Sequence, residues 1–200
     1  MTKQHILEIS TKEFATYGYN GVSMNNLAKK LDVNKATIYY HFKDKKSLYH
    51  AVMLDLFRLK RDELIKLVEN TTITGKDKFY KYIELLIHIL LQKTEMIPLT
   101  LREMANFGQD IQNGVEEELD IETEYLVSIL KELPLKEKYN NIDPTLIKAI
   151  IFGTICTYFV MNMSPLDCKY KKDYNNNPEE IFQYLNEHLG DFVIDTICKN

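Results

Sequence analysis

Apolar residues recur at helical spacing along most of this chain, and the sharpest instance is short. Met24, Leu27, Ala28 and Leu31 fall at i, i+3, i+4 and i+7, the one-sided stripe of a helix of about two turns, with Ser23 placed to cap its N-terminus. Asp32 stands where the chain must leave that helix, and an Asx residue tolerates the left-handed backbone such a turn needs. Val33 can plug the angle that follows. Asn34 is an N-cap for a second helix over 35–41, in which Ile38 and Phe42 face inward while Lys35, Ala36, Thr37, Tyr39, Tyr40 and His41 face outward. Two short helices joined by about three residues predict a helix-turn-helix, whose second helix enters a DNA major groove. An ordinary helical hairpin with a solvated charged face has the same spacing.

The flanking pattern supplies a scaffold. Residues 2–17 read as a helix that turns Ile6, Leu7, Phe14 and Tyr17 toward the hairpin and ends at Gly18. From the cap Asp44 the helical pattern runs without a breaker to about Glu69, roughly 38 Å at 1.5 Å per residue. Further helices are expected over about 76–93, 98–107, 110–133 and 144–163, and from 178 onward. The last two are announced by Asp143-Pro144 and Asn177-Pro178, each an N-cap before a proline at the first helical position, with Glu180 completing a capping box. The expected architecture is all-α with about nine helices, divided at residue 48: a three-helix helix-turn-helix domain over 1–48 and a helical domain over 49–200.

The segment 144–163 is apolar nearly all round, with Gly153, Thr154 and Thr157 offering small surfaces for close approach. Two terminal helices with more apolar surface than one bundle needs predict a homodimer joined by a four-helix interface, against the alternative of burial within one chain. No apolar run is expected to span a membrane, and MTKQHILEIS lacks the apolar core of a signal peptide, so a cytoplasmic chain without a membrane partner is expected.

Charge sharpens the picture. The whole chain carries −4, yet residues 1–50 hold eight lysines against Glu8, Glu13, Asp32 and Asp44, a surplus of +4 that leaves −8 for the remainder. Positive charge thus sits on the proposed reader, where it attracts phosphate, while an acidic body stays off the duplex. Ser23, Asn34, Lys35, Ala36, Thr37, Tyr39, Tyr40, His41 and Lys45 are the candidate DNA-contacting residues. Lys35 can meet a phosphate or a guanine edge, Ala36 lets the backbone approach, and the hydroxyl and imidazole groups can donate to phosphates.

Residues 6–48 resemble the DNA-binding domain of the TetR/AcrR family of transcriptional regulators through Ile6-Leu7, Phe14, Gly18-Tyr19, Leu27-Ala28, Val33, the run Lys35 to Tyr39, Phe42, Lys45 and Leu48. Ala36 stands where that family usually has glycine, and Asp32 where glycine is frequent. The resemblance implies a homodimer on palindromic double-stranded operator DNA, with a ligand-binding and dimerisation domain over 49–200.

Within that second domain a few polar residues stand out. Glu122 interrupts the apolar line Leu119, Leu126, Ile129, and must be paired, solvated or open to a cavity. If it faces a cavity, a cationic ligand fits; if it pairs with Arg102 or a lysine, it is structural. His88 is either a cavity group or a solvated histidine on the polar strip Lys81, Glu84, His88, Gln92. The candidate lining of an inducer cavity is Tyr82, Leu86, Arg102, Phe107, Glu122, Leu126 and Tyr158, suited to a lipophilic small molecule. Cys156, Cys168 and Cys198 show no ligand spacing, so neither a metal nor a cofactor is expected. No catalytic motif occurs, so an enzyme is not expected. The reading is a ligand-responsive regulator, more plausibly a repressor than an activator, set against a constitutive DNA-binding protein or an enzyme carrying a helical hairpin.

Overall fold

The computed structural model describes residues 2–111, 114–165, 169, 171–174 and 177–199. Cys168 and part of the polar loop before Asn177 lie outside them. Among the described residues the fold is all-α, with α1 (Lys3–Gly21), α2 (Met24–Lys30), α3 (Lys35–His41), α4 (Lys45–Glu69), α5 (Gly75–Gln92), α6 (Met96–Ala105), α7 (Val115–Lys131), α8 (Pro144–Met163) and α9 (Pro178–Ile197). A 3-10 turn at Glu137–Tyr139 and an isolated bridge from Leu135 to Cys198 are the features that helical periodicity does not signal.

The helix starts follow from side-chain capping. Ser23, Asn34, Asp44, Asp143 and Asn177 each accept from a backbone N–H in the first turn of α2, α3, α4, α8 and α9, at 2.7 to 3.1 Å. Asp32 takes the left-handed conformation, φ 53, that the turn between α2 and α3 requires. Glu180 differs from a capping box in detail: its carboxylate accepts from the side-chain amide of Asn177 at 3.1 Å, so the reciprocal bond is made to the cap's own side chain. α7 starts at Val115, later than periodicity suggests, after positive-φ glycines at 108 and 114.

The chain forms two compact units, each discontinuous in sequence: Met1–Leu59 with Lys93–Leu119, and Lys60–Gln92 with Asp120–Asn200. In the first, Ile6, Phe14, Leu27, Ile38, Leu48 and Val52 are fully buried. Tyr17 does not join them; it is 60% exposed, because α1 breaks at Gly18 and its buried edge ends at Ala15. Gly18 has φ 71 and ψ 171, a region open essentially to glycine alone.

In the second unit Phe79, Tyr82, Leu86, Leu126, Ile129, Ile151 and Phe182 form the core. α8 is long and apolar enough to cross a membrane by length and composition alone, a test that the core helix of a soluble protein also passes. Its buried edge is Ile147, Ile151 and Ile155, at four-residue steps, and its opposite edge exposes Leu146, Ile150, Val160 and Met161.

Candidate nucleic-acid interface and ligand-domain residues

α3 divides its residues between core and surface. Ile38 is fully buried and Phe42 nearly so, which fixes the rotation of the helix. That rotation leaves Ala36, Tyr39 and Tyr40 exposed, Tyr40 at 85%, with Lys35, Thr37 and His41 half-buried around them. The Lys35 ammonium lies 5.4 Å from the centre of the Tyr39 ring, and the rings of Tyr40 and His41 meet edge-on at 5.0 Å. Ser23 and Asn34 are exposed, but their side-chain oxygens already cap α2 and α3, so they present helix N-termini more than free side chains. Lys45 opens α4 with its ammonium 4.5 Å above the Tyr19 ring; burial lowers its pKa and nearby Asp110 opposes that. Lys3, at the start of α1, lies 5.6 Å from the Phe42 ring. The result is a basic and aromatic ridge on one short helix, suited to phosphate contact and base-edge readout.

The seven residues expected to line one cavity divide. Tyr82 and Glu122 meet in the second unit, with the Tyr82 hydroxyl donating to Glu122 Oε1 at 3.4 Å. Leu86 and Leu126 follow them by one turn on α5 and α7 and are at most 1% exposed. Tyr158 lies in a different cluster, its hydroxyl 2.7 Å from that of Tyr174 and its ring stacked on Tyr184 at 5.8 Å. Arg102 and Phe107 belong to the first unit. Arg102 acts on a helix: its guanidinium donates to the carbonyls of Phe14, Ala15 and Thr16, on the turn of α1 just before the backbone break at Gly18. Phe107 is 91% exposed at φ 54 and closes α6, with Gly108 N–H donating to Glu103 O at 2.9 Å.

Glu122 is paired, and by residues that periodicity alone does not single out. Lys60 lies 2.8 Å and Lys148 3.2 Å from its Oε2, and the Lys60 and Glu122 side chains are both about 5% exposed or less. Burial pushes the Glu122 carboxyl up, but the two ammonium groups outweigh it and hold the pKa below the ordinary value. Lys148 is lowered by burial, against the pull of Glu122. His88 is exposed and 2.8 Å from Gln92, so it is solvated and lies in no enclosed cavity. Cys156 and Cys198 are buried thiols pushed up by burial, Cys156 to about 12, and no group of three or more His, Cys, Asp and Glu able to hold a metal occurs among the described residues.

Comparison with known proteins agrees with this geometry. Residues 6–52 match the family model described as bacterial regulatory proteins, tetR family. The chain is 24% identical over 184 residues to YhgD of Bacillus subtilis, described as an uncharacterized HTH-type transcriptional regulator, a match covering 81% of this chain and 96% of that one. It is 28% identical over 81 residues to IcaR of Staphylococcus aureus, the negative regulator of the biofilm operon icaADBC, spanning 40% of this chain and 43% of IcaR. The fold is shared with FadR of Bacillus subtilis, solved in complex with stearoyl-CoA, at TM-score 0.65 and 20% identity over 92% of this chain and 97% of that one.

Proposed function

We propose that the chain, whose residues 6–52 match the tetR family model, is a TetR-family transcriptional regulator: a cytoplasmic, homodimeric repressor that binds palindromic operator DNA through α3 and is released by a lipophilic small molecule held in residues 49–200. The observation that carries the DNA-binding part is the rotation of α3. Burial of Ile38 turns Tyr39 and Tyr40 out to solvent, and two adjacent exposed tyrosines beside Lys35 suit phosphate and base contacts better than they suit water. Two readers on a palindrome need a two-fold axis, and the exposed edge of α8 together with Phe192 of α9 supports one. IcaR, a negative regulator, supports repression over activation.

For the inducer, Tyr82, Leu86, Glu122, Leu126 and Tyr158 remain the proposed surroundings. The pairing of Glu122 with two lysines removes the support for a cation at that carboxylate. FadR supports long-chain acyl compounds as the first class to test. Residues 45–59 of α4 belong to the first unit and its remainder to the second, which makes α4 the element through which occupancy acts on the reader. A second reading, constitutive DNA binding, draws on one observation: Tyr82, Leu86 and Leu126 are already packed to 1% exposure or less.

The test starts from genomic fragments enriched on the purified full chain. A two-fold symmetric sequence, bound in anisotropy titrations at two chains per site and released by stearoyl-CoA, is the expected result. Enrichment of a symmetric site that no acyl-CoA releases favours constitutive binding, and absence of any enriched sequence overturns the reading.

A further inference from the structure

Three lysines mark the start of α4, and they are not equivalent. Lys43 and Lys46 are exposed, whereas Lys45 is half-buried with its ammonium 4.5 Å from the centre of the Tyr19 ring. Tyr19 is held in turn by two buried aromatic residues, its ring centre lying 5.1 Å from that of Tyr49 and 6.3 Å from that of Phe14. Lys45 therefore rests on a platform fixed by the core of the first unit.

A carboxylate shares that platform's surroundings. Tyr19 and Asp110 border one cleft of about 300 Å³, together with Tyr49, Arg102 and Glu103. Asp110 is half-buried in the turn after α6, where Ile111 N–H donates to Gly108 O at 3.0 Å. Burial raises the Tyr19 hydroxyl and lowers the Lys45 ammonium, and the Asp110 charge acts on both, adding to the first effect and opposing the second. The other carboxylates nearby have other work. Glu103 is 5% exposed and accepts from the Tyr49 hydroxyl, and Asp44 caps α4 by accepting from Ser47 N–H at 2.7 Å. All of these residues belong to the first unit.

We propose that Asp110 is a positioning residue that restrains DNA binding: with the Tyr19 ring it gives the Lys45 ammonium a resting place, and it competes with the DNA backbone for that ammonium. This rests on the reading of Lys45 as a DNA-contacting residue. A phosphate drawn to Lys45 meets the Asp110 charge, which has the same sign, so part of the attraction is cancelled. Contact with one ring at a half-exposed site is weaker than an ammonium–phosphate bond, so a duplex can draw the side chain off its platform. Because a phosphate contact carries no sequence information, the restraint weakens binding to every duplex alike. It lowers non-specific binding and leaves the preference for an operator unchanged.

The test uses the full chain and two duplexes in anisotropy titrations, the symmetric fragment enriched from genomic DNA and one of unrelated sequence. Asp110→Asn should tighten both about threefold and steepen the fall of log affinity with log salt by up to about 0.9. Asp110→Glu should behave as the unsubstituted chain. In a Lys45→Ala background Asp110→Asn should gain nothing, a coupling that a merely structural role of Asp110 does not produce. Without DNA, the Lys45 pKa followed by NMR should fall in Asp110→Asn, because the charge that opposes the effect of burial is gone. An unchanged Lys45 pKa, unchanged affinity, or a gain that survives in the Lys45→Ala background overturns the proposal. Binding to neither duplex overturns it together with the DNA-binding reading, whereas binding that ignores Asp110 overturns it alone.

Discussion

The Lys60 ammonium lies 2.8 Å from Glu122 Oε2 in an ion pair whose two side chains are about 5% exposed or less. Removing one member of such a pair leaves the other uncompensated, so Glu122→Ala should destabilise the chain by about 3–5 kcal/mol in urea unfolding, where replacing both by apolar residues of similar volume costs far less. The pH dependence has a definite sign. A carboxyl depressed on folding contributes stability that is complete above its unfolded pKa and is lost as pH falls through the lower folded one. The stability advantage of wild type over Glu122→Gln should therefore be full at neutral pH and shrink below about pH 4. A difference that stays constant into acid would show that the pair does not act as an ion pair.

Arg102 and Gly18 work on the same helix end. The guanidinium donates to the three carbonyls of residues 14–16 just before the break, and Gly18 adopts a backbone region that a side chain resists. Arg102→Ala should cost about 1–2 kcal/mol through lost charge-assisted bonds, and Gly18→Ala about 1–3 kcal/mol through strain. Hydrogen exchange of residues 14–17 should speed up in both variants. Unchanged protection there would mean that Arg102 does not hold this turn.

Phe107 pays for the end of α6 with an unfavourable backbone. It holds φ 54 with a bulky side chain that is 91% exposed, so little packing compensates. Phe107→Gly should raise stability by about 1 kcal/mol, seen as a higher urea midpoint with an unchanged slope. A loss of stability would reveal packing on Phe107 from a partner.

The helix-turn-helix was legible in the sequence because its signals are local. Ser23, Asp32, Asn34 and Asp44 act on backbone groups two or three residues away, and the stripe from Met24 to Leu31 needs no partner to be read. The surroundings of Glu122 were half legible. Its place in an apolar line required a partner, but Lys60 and Lys148 lie far off in sequence, on other helices. A signal for Lys60 existed: it continues the buried edge of Val52, Met53, Leu56, Phe57 and Leu64 on α4, a charge inside an apolar line just as Glu122 is. Periodicity reports which face of a helix is apolar and not which helix lies opposite, so it did not separate Arg102 and Phe107, in the first unit, from Glu122, in the second.

On α3, core and surface roles can be separated by experiment. Tyr40→Ala and Lys35→Ala touch side chains that pack on little, so stability should change by less than about 0.5 kcal/mol while operator affinity falls at least tenfold. Ile38→Ala should instead lose about 2–5 kcal/mol of stability and lose affinity through unfolding. Anisotropy titrations beside thermal melts distinguish the two, and retained affinity in the Tyr40 and Lys35 variants would remove α3 from the interface.

The exposed edge of α8 makes the sharpest test of the proposed dimer. Leu146, Ile150, Gly153, Thr157 and Val160 follow one another at steps of three and four, so they share one face of the helix. At its centre a Cβ added to Gly153 would meet nothing within 4 Å, and the Thr157 hydroxyl is turned back to Gly153 O at 2.7 Å, so this stretch lets another helix approach closely. Phe192 on α9 is 71% exposed. Val160→Asp with Phe192→Asp should shift the chain from a dimer to its 23.5 kDa monomer in light scattering. Operator affinity should fall by orders of magnitude, because two tethered readers bind far more tightly than one. A charged pair of substitutions on exposed positions leaves the core of the second unit intact, so the melting temperature at high dilution should hardly move. Dimers that persist in this variant would place the two-fold axis on another surface.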